Sequence, residues 1–237
     1  MVRNYALIGD IHSQYEPLHK ALSYCQSNAL IPVILGDVFD SRCDSSDSAG
    51  VYRLLLQAQK DLNAVVLRSN HQDKLERFLK GNSVRVSPEL ERTIYDFGGS
   101  EVNSDELLKW LESLPYGFCF KHADREYRCA HAYFPSFVEV PDYPLFHFVW
   151  DLPKKARQLA MYGPSVSNSR ARAFWWERES DRSWVRVAGH YHVVHTDERN
   201  MVLDGGCGGN ERSWNNPTDP VLVLYDVAKG EMLEIAV

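Results

Sequence analysis

Three short clusters of aspartate, asparagine and histidine lie near the start of this chain of 237 residues. They are Asp10-Ile11-His12, Gly36-Asp37-Val38-Phe39-Asp40 and Asn70-His71. Carboxylate, imidazole and amide oxygen are ligands that suit a pair of divalent cations, and such a pair can hold a bridging hydroxide against a phosphate. These residue types therefore predict a metal site that acts on phosphate esters.

Each cluster follows a short apolar run that is typical of a buried strand. The runs are residues 5–8, 31–35 and 64–67, and apolar residues at helical spacing follow each of them. Strands that alternate with helices form βαβ units, and ligands in such sheets bind beyond the carboxyl ends of the parallel strands. The pattern predicts that all three clusters lie at one edge of a sheet.

The second half of the chain has two further histidine clusters that follow predicted strands, Ala130-His131-Ala132 and Gly189-His190-Tyr191-His192. A turn or a helix cap would explain any single aspartate or histidine of this kind. Five such clusters in one chain favour a functional site instead. Residues 133–150, rich in proline and aromatic residues, and residues 161–170 predict long loops, and Ser104 is the predicted N-cap of a helix.

The five clusters, in this order, resemble the motifs of the calcineurin-like metallophosphoesterases, and within them the phosphoprotein phosphatase branch that includes the lambda phage enzyme. The family motifs GDxHG, GDxVDRG, GNHE and GHT, with a strand-ending histidine before the last, correspond to residues 9–13, 36–42, 69–72, 189–191 and His131. The resemblance spans roughly residues 5–226. Residues 70–75 and 79–82 are also similar to the phosphatase module of bacterial polynucleotide kinase-phosphatases.

The resemblance implies a fold and a set of roles. The fold is an α/β sandwich of two mixed sheets flanked by helices, with a dinuclear metal site at one edge. One metal would be bound by Asp10, His12 and Asp37, and the other by Asp37, Asn70, His131 and His190. A metal-bridging hydroxide would attack phosphorus, while His71 protonates the leaving oxygen and Asp40 positions its imidazole. Manganese is the first expectation by family, and iron, zinc, cobalt or nickel would also suit these ligands.

Three arginines are candidates for binding the phosphate. Arg68 and Arg178 match two phosphate-binding arginines of the lambda type, a role that suits a planar and permanently charged group. Ser41 occupies the place of the DRG arginine, and Arg42 is the candidate that would substitute for it.

Two further differences concern backbone and ligands. Ser13 and Ser69 replace family glycines, which is tolerable if the backbone angles there are ordinary. His192 corresponds to the second histidine of a GHxH motif in other calcineurin-like families. Alternation along a strand would place His190 and His192 on one face, so His192 is a further candidate ligand.

The composition of the chain argues against several other classes of protein. The net charge of −6 argues against a protein that coats nucleic acid nonspecifically. No apolar run approaches the length of a membrane span, and the start of the chain does not have the pattern of a signal peptide. Five scattered cysteines without a CxxC pair indicate reduced thiols. We therefore expect one catalytic domain over residues 1–237 in the cytoplasm.

The resemblance implies a metal-dependent hydrolase of phosphomonoesters, with phosphoserine and phosphothreonine in proteins as the first expectation. Alternatives are a nucleotide or polynucleotide-end phosphatase, a 2′,3′-cyclic phosphodiesterase or a dinucleoside polyphosphate hydrolase, which differ in the leaving group and not in the metal site. A hypothesis from another class is a binding module without catalysis. The replacement of the DRG arginine by Ser41 favours this hypothesis, whereas the complete set of metal ligands and the presence of His71 argue against it. The expected partner is a phosphorylated substrate, with nucleic-acid ends as an alternative and no membrane.

Overall fold

The computed structural model describes residues 3–43, 45–143, 145–164, 183–209 and 219–237. In these ranges the chain forms two β-sheets that pack face to face, with helices on their outer faces. In chain order the elements are β1 (Tyr5–Ile8), α1 (Tyr15–Ser27), β2 (Ile31–Ile34), α2 (Ser48–Asp61), β3 (Val65–Val66), α3 (Asn70–Leu79), α4 (Pro88–Gly98), α5 (Ser104–Glu112), β4 (Gly117–His122), β5 (Arg125–Cys129), β6 (Phe146–Val149), α6 (Lys154–Tyr162), β7 (Trp184–Ala188), β8 (Val194–Thr196), β9 (Asn200–Leu203), β10 (Val221–Asp226) and β11 (Glu231–Ala236).

Both sheets are mixed, and each has three parallel strands in its middle or at one side. The first sheet has the order β11-β10-β1-β2-β3, with β1, β2 and β3 parallel to one another. The second has the order β6-β4-β5-β7-β9-β8, with β5, β7 and β9 parallel. The predicted α/β architecture of two mixed sheets flanked by helices is confirmed.

The core between the sheets follows from alternation along the strands. In β1, Tyr5 and Leu7 contribute to the cluster between the sheets, whereas Ala6 and Ile8 contribute to the cluster under the helices. The ring of Tyr5 lies 4.2 Å from that of Phe120 across the sandwich, centroid to centroid. Burial of each large apolar side chain of this kind contributes about 1.5–3 kcal/mol to stability. This apolar layer holds the two sheets together.

The helices cover both outer faces of the sandwich. Helices α1 to α5 contribute buried residues to the core under the first sheet, and α6 packs on the second sheet through Ala156 and Ala160. No helix in the described ranges has the length and apolarity that a membrane span needs.

The strands and helices around the clusters agree with the sequence prediction, and the differences lie elsewhere. Strand β6 falls within residues 133–150, where a long loop was expected, because prolines and aromatic residues conceal a four-residue edge strand. Helix α6, which begins after Pro153, was not predicted. Strand β8 was not predicted either. The N-cap of α5 is Asn103 and not Ser104, since the Asn103 side chain accepts hydrogen bonds from the amides of Asp105 and Glu106.

Burial of the cysteines leads to a prediction about thiol reactivity. All five thiols are free, and burial raises the pKa of Cys25 and of Cys119 to about 12. Cys43 is half-buried, whereas the other four cysteines are buried. Because the thiolate is the reactive form, we expect only Cys43 to react rapidly with a disulfide reagent in the native protein. All five should react in concentrated guanidinium chloride; a second rapidly reacting thiol before unfolding would contradict this packing.

Candidate metal centre

Five strand ends from the two sheets meet at one edge of the sandwich. Asp10, Asp37 and Asn70 follow β1, β2 and β3, and His131 and His190 follow β5 and β7 of the second sheet. The two sheets are joined here by a hydrogen bond from the amide of His190 to Asp10 Oδ2 at 2.9 Å. The predicted clusters therefore lie together, as expected from the carboxyl ends of parallel strands.

Five of these side chains form two groups that share one carboxylate. Ligand atoms of Asp10, His12 and Asp37 lie within 4.8 Å of one another, and so do those of Asp37, His131 and His190. Asn70 adjoins the second group, because its Oδ1 is 2.9 Å from His131 Nε2. The structure thus brings together the six residues named by sequence as principal ligands.

In His12 and His131, a hydrogen bond from Nδ1 to a backbone carbonyl oxygen directs Nε2 to Asp37. His12 Nδ1 is 2.9 Å from the carbonyl oxygen of Asp40, and His131 Nδ1 is 3.1 Å from that of Leu35. A carbonyl oxygen only accepts, so both Nδ1 atoms carry a proton and each ring directs its Nε2 to the cluster. These Nε2 atoms lie 3.9 and 3.4 Å from the carboxylate of Asp37.

The resulting arrangement brings the ligand atoms close together. Among the described residues, Asp10 Oδ1 and Asp37 Oδ1 are buried and have no hydrogen-bond partner. Buried, unpaired carboxylate oxygens are costly unless a cation neutralises them. The residues present therefore fit divalent cations, for which carboxylate, amide oxygen and neutral imidazole are suitable ligands.

Electrostatics also prepare the histidines as ligands. Burial, reinforced by the charge of His131, lowers the pKa of His190 to about 3, and burial lowers the pKa of His12. Both rings are neutral at physiological pH, and a neutral imidazole is the form that binds metal. Burial together with the charges of Asp204 and Asp37 raises the pKa of Asp10 well above its usual range. A bound cation would oppose this effect.

The loops that carry the ligands have an unusual backbone. His12, Asp37, Asp40 and His190 all have positive φ angles, between 39° and 72°. Such angles cost about 1–2 kcal/mol in a residue with a side chain. Cross-loop hydrogen bonds hold them, since the amide of His12 donates to the carbonyl oxygen of Asp37 at 2.8 Å. Backbone outliers of this kind cluster at functional sites.

Serine replaces family glycines at two positions with different consequences. Ser69 has an ordinary φ of −125° and its side chain caps α3. Ser13 has a φ of 60°, so the expectation of ordinary backbone angles is wrong at this position. Hydrogen bonds hold this conformation: the Ser13 amide donates to the carbonyl of Val38, and its hydroxyl is 2.9 Å from that of Ser48.

His71 and Asp40 form a pair beside the cluster. His71 Nδ1 is 2.7 Å from Asp40 Oδ2, and the other oxygen of Asp40 accepts a hydrogen bond from Thr93 at 2.8 Å. His71 Nε2 lies 3.8 Å from Asp37 Oδ2, so the ring faces the shared carboxylate. Burial opposes protonation, but the charges of Asp37 and Asp40 outweigh it and raise the pKa of His71 to about 9. The imidazole is therefore protonated at neutral pH.

The structure does not place the arginine candidates in the cluster. Arg68 is buried, pairs with Asp73 at 3.2 Å and with Glu76, and also donates to the carbonyl of Leu111. Arg42 extends over the surface to Glu89, at 3.2 Å. Two carboxylates hold the buried Arg68, so its guanidinium group is not available to phosphate in this arrangement, whereas the half-exposed Arg42 is directed to Glu89 on α4. Arg178 lies outside the described residues.

The position of His192 differs from the prediction. His190 and His192 lie in a turn between β7 and β8, both with positive φ, and not on one extended strand. The alternation argument for His192 is therefore wrong, and neither ligand group of the described residues includes this residue. Its amide instead donates to Asp204 Oδ2 at 2.6 Å.

Two polar residues near the cluster were given no role from the sequence. Asp204 is fully buried, follows β9, and accepts hydrogen bonds from the amides of His192 and Gly206. The signal that identified the other clusters, an aspartate directly after a predicted strand, was present here too. Thr93, which binds Asp40 from α4, had no such signal because its partner is 53 residues away.

The sequence and the fold of this chain were compared with those of known proteins. No family model matches the chain. The chain is 26% identical over 221 residues to the asymmetrical bis(5′-nucleosyl)-tetraphosphatase PrpE of Oceanobacillus iheyensis, with 85% of this chain and 83% of that protein covered. Among solved structures, a candidate diadenosine tetraphosphatase has a TM-score of 0.60 at 18% identity and covers 99% of this chain and 94% of its own. A metallophosphoesterase of Sphaerobacter thermophilus has a TM-score of 0.50 at 13% identity, with coverages of 100% and 88%.

The fold is thus that of the metallophosphoesterases. The comparisons agree with the metallophosphoesterase fold that the motif resemblance implied. They do not favour the lambda phage branch or the polynucleotide kinase-phosphatase module in particular.

The shared carboxylate leads to a prediction about metal binding. Titration of the metal-free protein with Mn²⁺ should raise its melting temperature, because a ligand at 100 times its Kd stabilises by about 2.7 kcal/mol. For a chain of this length that corresponds to about 5–10 °C. Asp37→Asn should remove most of this shift, because it weakens both groups. The control Asp142→Asn alters a fully exposed carboxylate and should leave the shift unchanged. An undiminished shift in Asp37→Asn would exclude this site as the metal centre.

Proposed function

We propose that this protein is a metal-dependent hydrolase of nucleoside polyphosphates and cleaves dinucleoside tetraphosphates. The observation that carries the chemistry is the convergence of ligand atoms from both sheets on Asp37, together with the buried, unpartnered Oδ1 atoms of Asp10 and Asp37. The substrate class is supported by the relative named as a bis(5′-nucleosyl)-tetraphosphatase, which aligns along most of the chain. The resemblance of motifs alone favours phosphoproteins, and this relative moves nucleotide hydrolysis ahead of that hypothesis.

In this proposal the two groups bind two divalent cations. Asp10, His12 and Asp37 hold one, and Asp37, with Asn70, His131 and His190, holds the other. Bound there, the cations would acidify a water molecule and offset the charge of the phosphoryl oxygens. Manganese is our first choice, by family resemblance, and iron, zinc, cobalt and nickel also suit the ligands.

His71 is the proposed proton donor to the leaving group. It faces the shared carboxylate and is held in position by Asp40, and the charges of Asp37 and Asp40 favour its protonated form. Asp40 is itself fixed by a hydrogen bond from Thr93 on α4. Asp40 and Thr93 together therefore set the direction of the His71 imidazole. An ordered donor of this kind contributes typically 10²–10⁴-fold to the rate when the leaving oxygen is strongly basic.

Substrate class is tested by a panel assayed with Mn²⁺. We expect kcat/KM for diadenosine tetraphosphate to exceed by about tenfold or more the values for a phosphoserine peptide, a 2′,3′-cyclic nucleotide and a 3′-phosphorylated oligonucleotide. The leaving group of a polyphosphate is a weakly basic phosphate that departs with little help from a proton donor, and bound cations would offset its charge, which favours this substrate. The measurement is initial rate with chromatographic separation of products.

The panel also separates the other hypotheses. Faster hydrolysis of the phosphopeptide would restore the phosphoprotein hypothesis, and faster hydrolysis of the oligonucleotide would favour nucleic-acid ends as the partner. Turnover of every compound no greater than that of an Asp37→Asn control would indicate a binding module without catalysis.

The role of His71 is tested by comparing two leaving groups. His71→Ala should lower kcat for an alkyl phosphate such as glycerol phosphate about 100-fold or more, because the alkoxide must be protonated as it departs. The same variant should lower kcat for p-nitrophenyl phosphate less than tenfold, since nitrophenolate departs without a proton. His19→Ala changes an exposed histidine on α1 and is the matched control. Equal losses on both substrates would assign His71 a binding role instead of proton transfer.

A further inference from the structure

The end of helix α6 is attached to both histidine loops of the candidate metal centre. The amide of Ala132, next to His131, donates to the carbonyl oxygen of Ala160 at 2.7 Å. Gly163, directly after the helix, has a φ of 71°, and a Cβ there would lie 2.1 Å from the hydroxyl of Tyr191. Tyr191 follows His190, so the last turn of α6 is fixed beside both loops. Tyr162 is the last residue of this helix.

Helix α3 also begins at the candidate metal centre. Its first residue is Asn70, whose Oδ1 contacts His131. Asp73 and Arg77 follow at positions i+3 and i+7, which lie on the same face of a helix as Asn70. A rise of about 1.5 Å per residue places Arg77 about 10 Å along the helix from Asn70. This face of α3 leads outward from the metal ligands.

Tyr162 lies within electrostatic range of that face. Burial and the negative charges of Asp73 and Asp37 raise the pKa of Tyr162, while the charges of Arg77 and Arg68 oppose the rise. Tyr162 and the Arg77 side chain are both about half-exposed, at 46% and 47%. A half-exposed aromatic ring and a half-exposed guanidinium group therefore lie on two helices that are both attached at His131 and its neighbour Ala132.

The surroundings of Arg77 distinguish it from Arg68. Arg68 is buried and held by two carboxylates and a carbonyl oxygen. Arg77 has one ion pair, through Nε to Asp73 at 3.1 Å, and about half of its side chain remains exposed. A guanidinium group has five N–H donors, so one contact leaves donors for an anion. Arg77 is thus a cation near the centre that can bind a phosphate without moving from a buried position.

We propose that Tyr162 and Arg77 form the subsite for the nucleotide portion of the substrate, with the Tyr162 ring stacked on a nucleobase and Arg77 paired with a phosphate beyond the scissile one. This inference rests on the proposed function and extends it, because the metal centre by itself recognises only the reacting phosphate. Stacking of a base on an aromatic side chain contributes enough to change affinity by about tenfold or more. A planar guanidinium binds phosphate oxygens in a bidentate manner.

The test compares three substrates that add one feature at a time. Glycerol phosphate has only the reacting phosphate, tripolyphosphate adds distal phosphates, and diadenosine tetraphosphate adds the bases. Tyr162→Ala should lower kcat/KM for the dinucleotide about tenfold relative to glycerol phosphate, with the tripolyphosphate ratio changed less than twofold. Tyr162→Phe keeps the ring and should restore the dinucleotide ratio. Arg77→Gln should lower the ratios of both polyphosphates about tenfold, because both contain distal phosphates.

Matched controls lie on other helices. Tyr95→Ala and Arg53→Gln replace exposed residues of α4 and α2 and should leave all three substrates unchanged. Calorimetric titration of the Mn²⁺-loaded protein with ADP gives a readout without turnover, and Tyr162→Ala should weaken this binding about tenfold.

The outcomes separate the subsite from the proposed function. Wild-type protein that turns over no substrate, yet binds ADP more tightly than Tyr162→Ala does, would overturn the hydrolase and support the subsite. Active wild-type protein with unchanged substrate ratios and unchanged ADP binding in Tyr162→Ala would overturn the subsite. An equal fall for all three substrates in either variant would also overturn it, since that result indicates a general role in the site.

Discussion

The carboxylate of Asp37 lies between two groups of buried ligand atoms, and the surrounding structure depends on keeping these atoms close together. Imidazole nitrogens and unpaired carboxylate oxygens lie within a few ångströms of one another, and the buried, unpaired oxygens are unfavourable without a cation. The apolar layer between the two sheets stabilises the sandwich and so holds the ligands in this arrangement. A cation would convert these repulsive contacts into coordination, so metal binding and fold stability are coupled.

The loops around Asp37 also store backbone strain. His12, Asp37, Asp40 and His190 adopt left-handed angles that alanine-like residues avoid, and hydrogen bonds between neighbouring loops compensate. Gly36, at a φ of 119°, allows the backbone to approach His131, because a Cβ there would lie 2.7 Å from its Nδ1. Strain of this kind directs side chains inward at the end of a strand. The backbone conformation of these loops also places His71 and Asp40 beside the two ligand groups and not within them.

Sequence reasoning was accurate where local pattern decides structure. The strands before Asp10, Asp37, Asn70, His131 and His190 were all found, since each is a short apolar run followed by a turn. It was less accurate where contacts between residues far apart in the sequence decide the structure. The arginines illustrate this, because Arg68 meets two acids on the following helix and Arg42 meets Glu89 on α4. Strand β6 forms on the second sheet in a segment whose prolines indicate a loop, and helix α6 was not predicted.

The sequence by itself determined the chemistry of the site, because ligand types and their positions after strands are local properties of the chain. The order of the motifs also implied the mixed α/β architecture through their resemblance to a known family, and the alternation of apolar runs and amphipathic segments predicted the βαβ units within it. Only the tertiary structure decided which residues accompany the ligands. Thr93 lies 53 residues from Asp40 and reaches it through the packing of α4, and Asp204, after β9, binds the turn of His190 through the amide of His192. His192 lies outside the two ligand groups because a turn, and not a strand, joins it to His190.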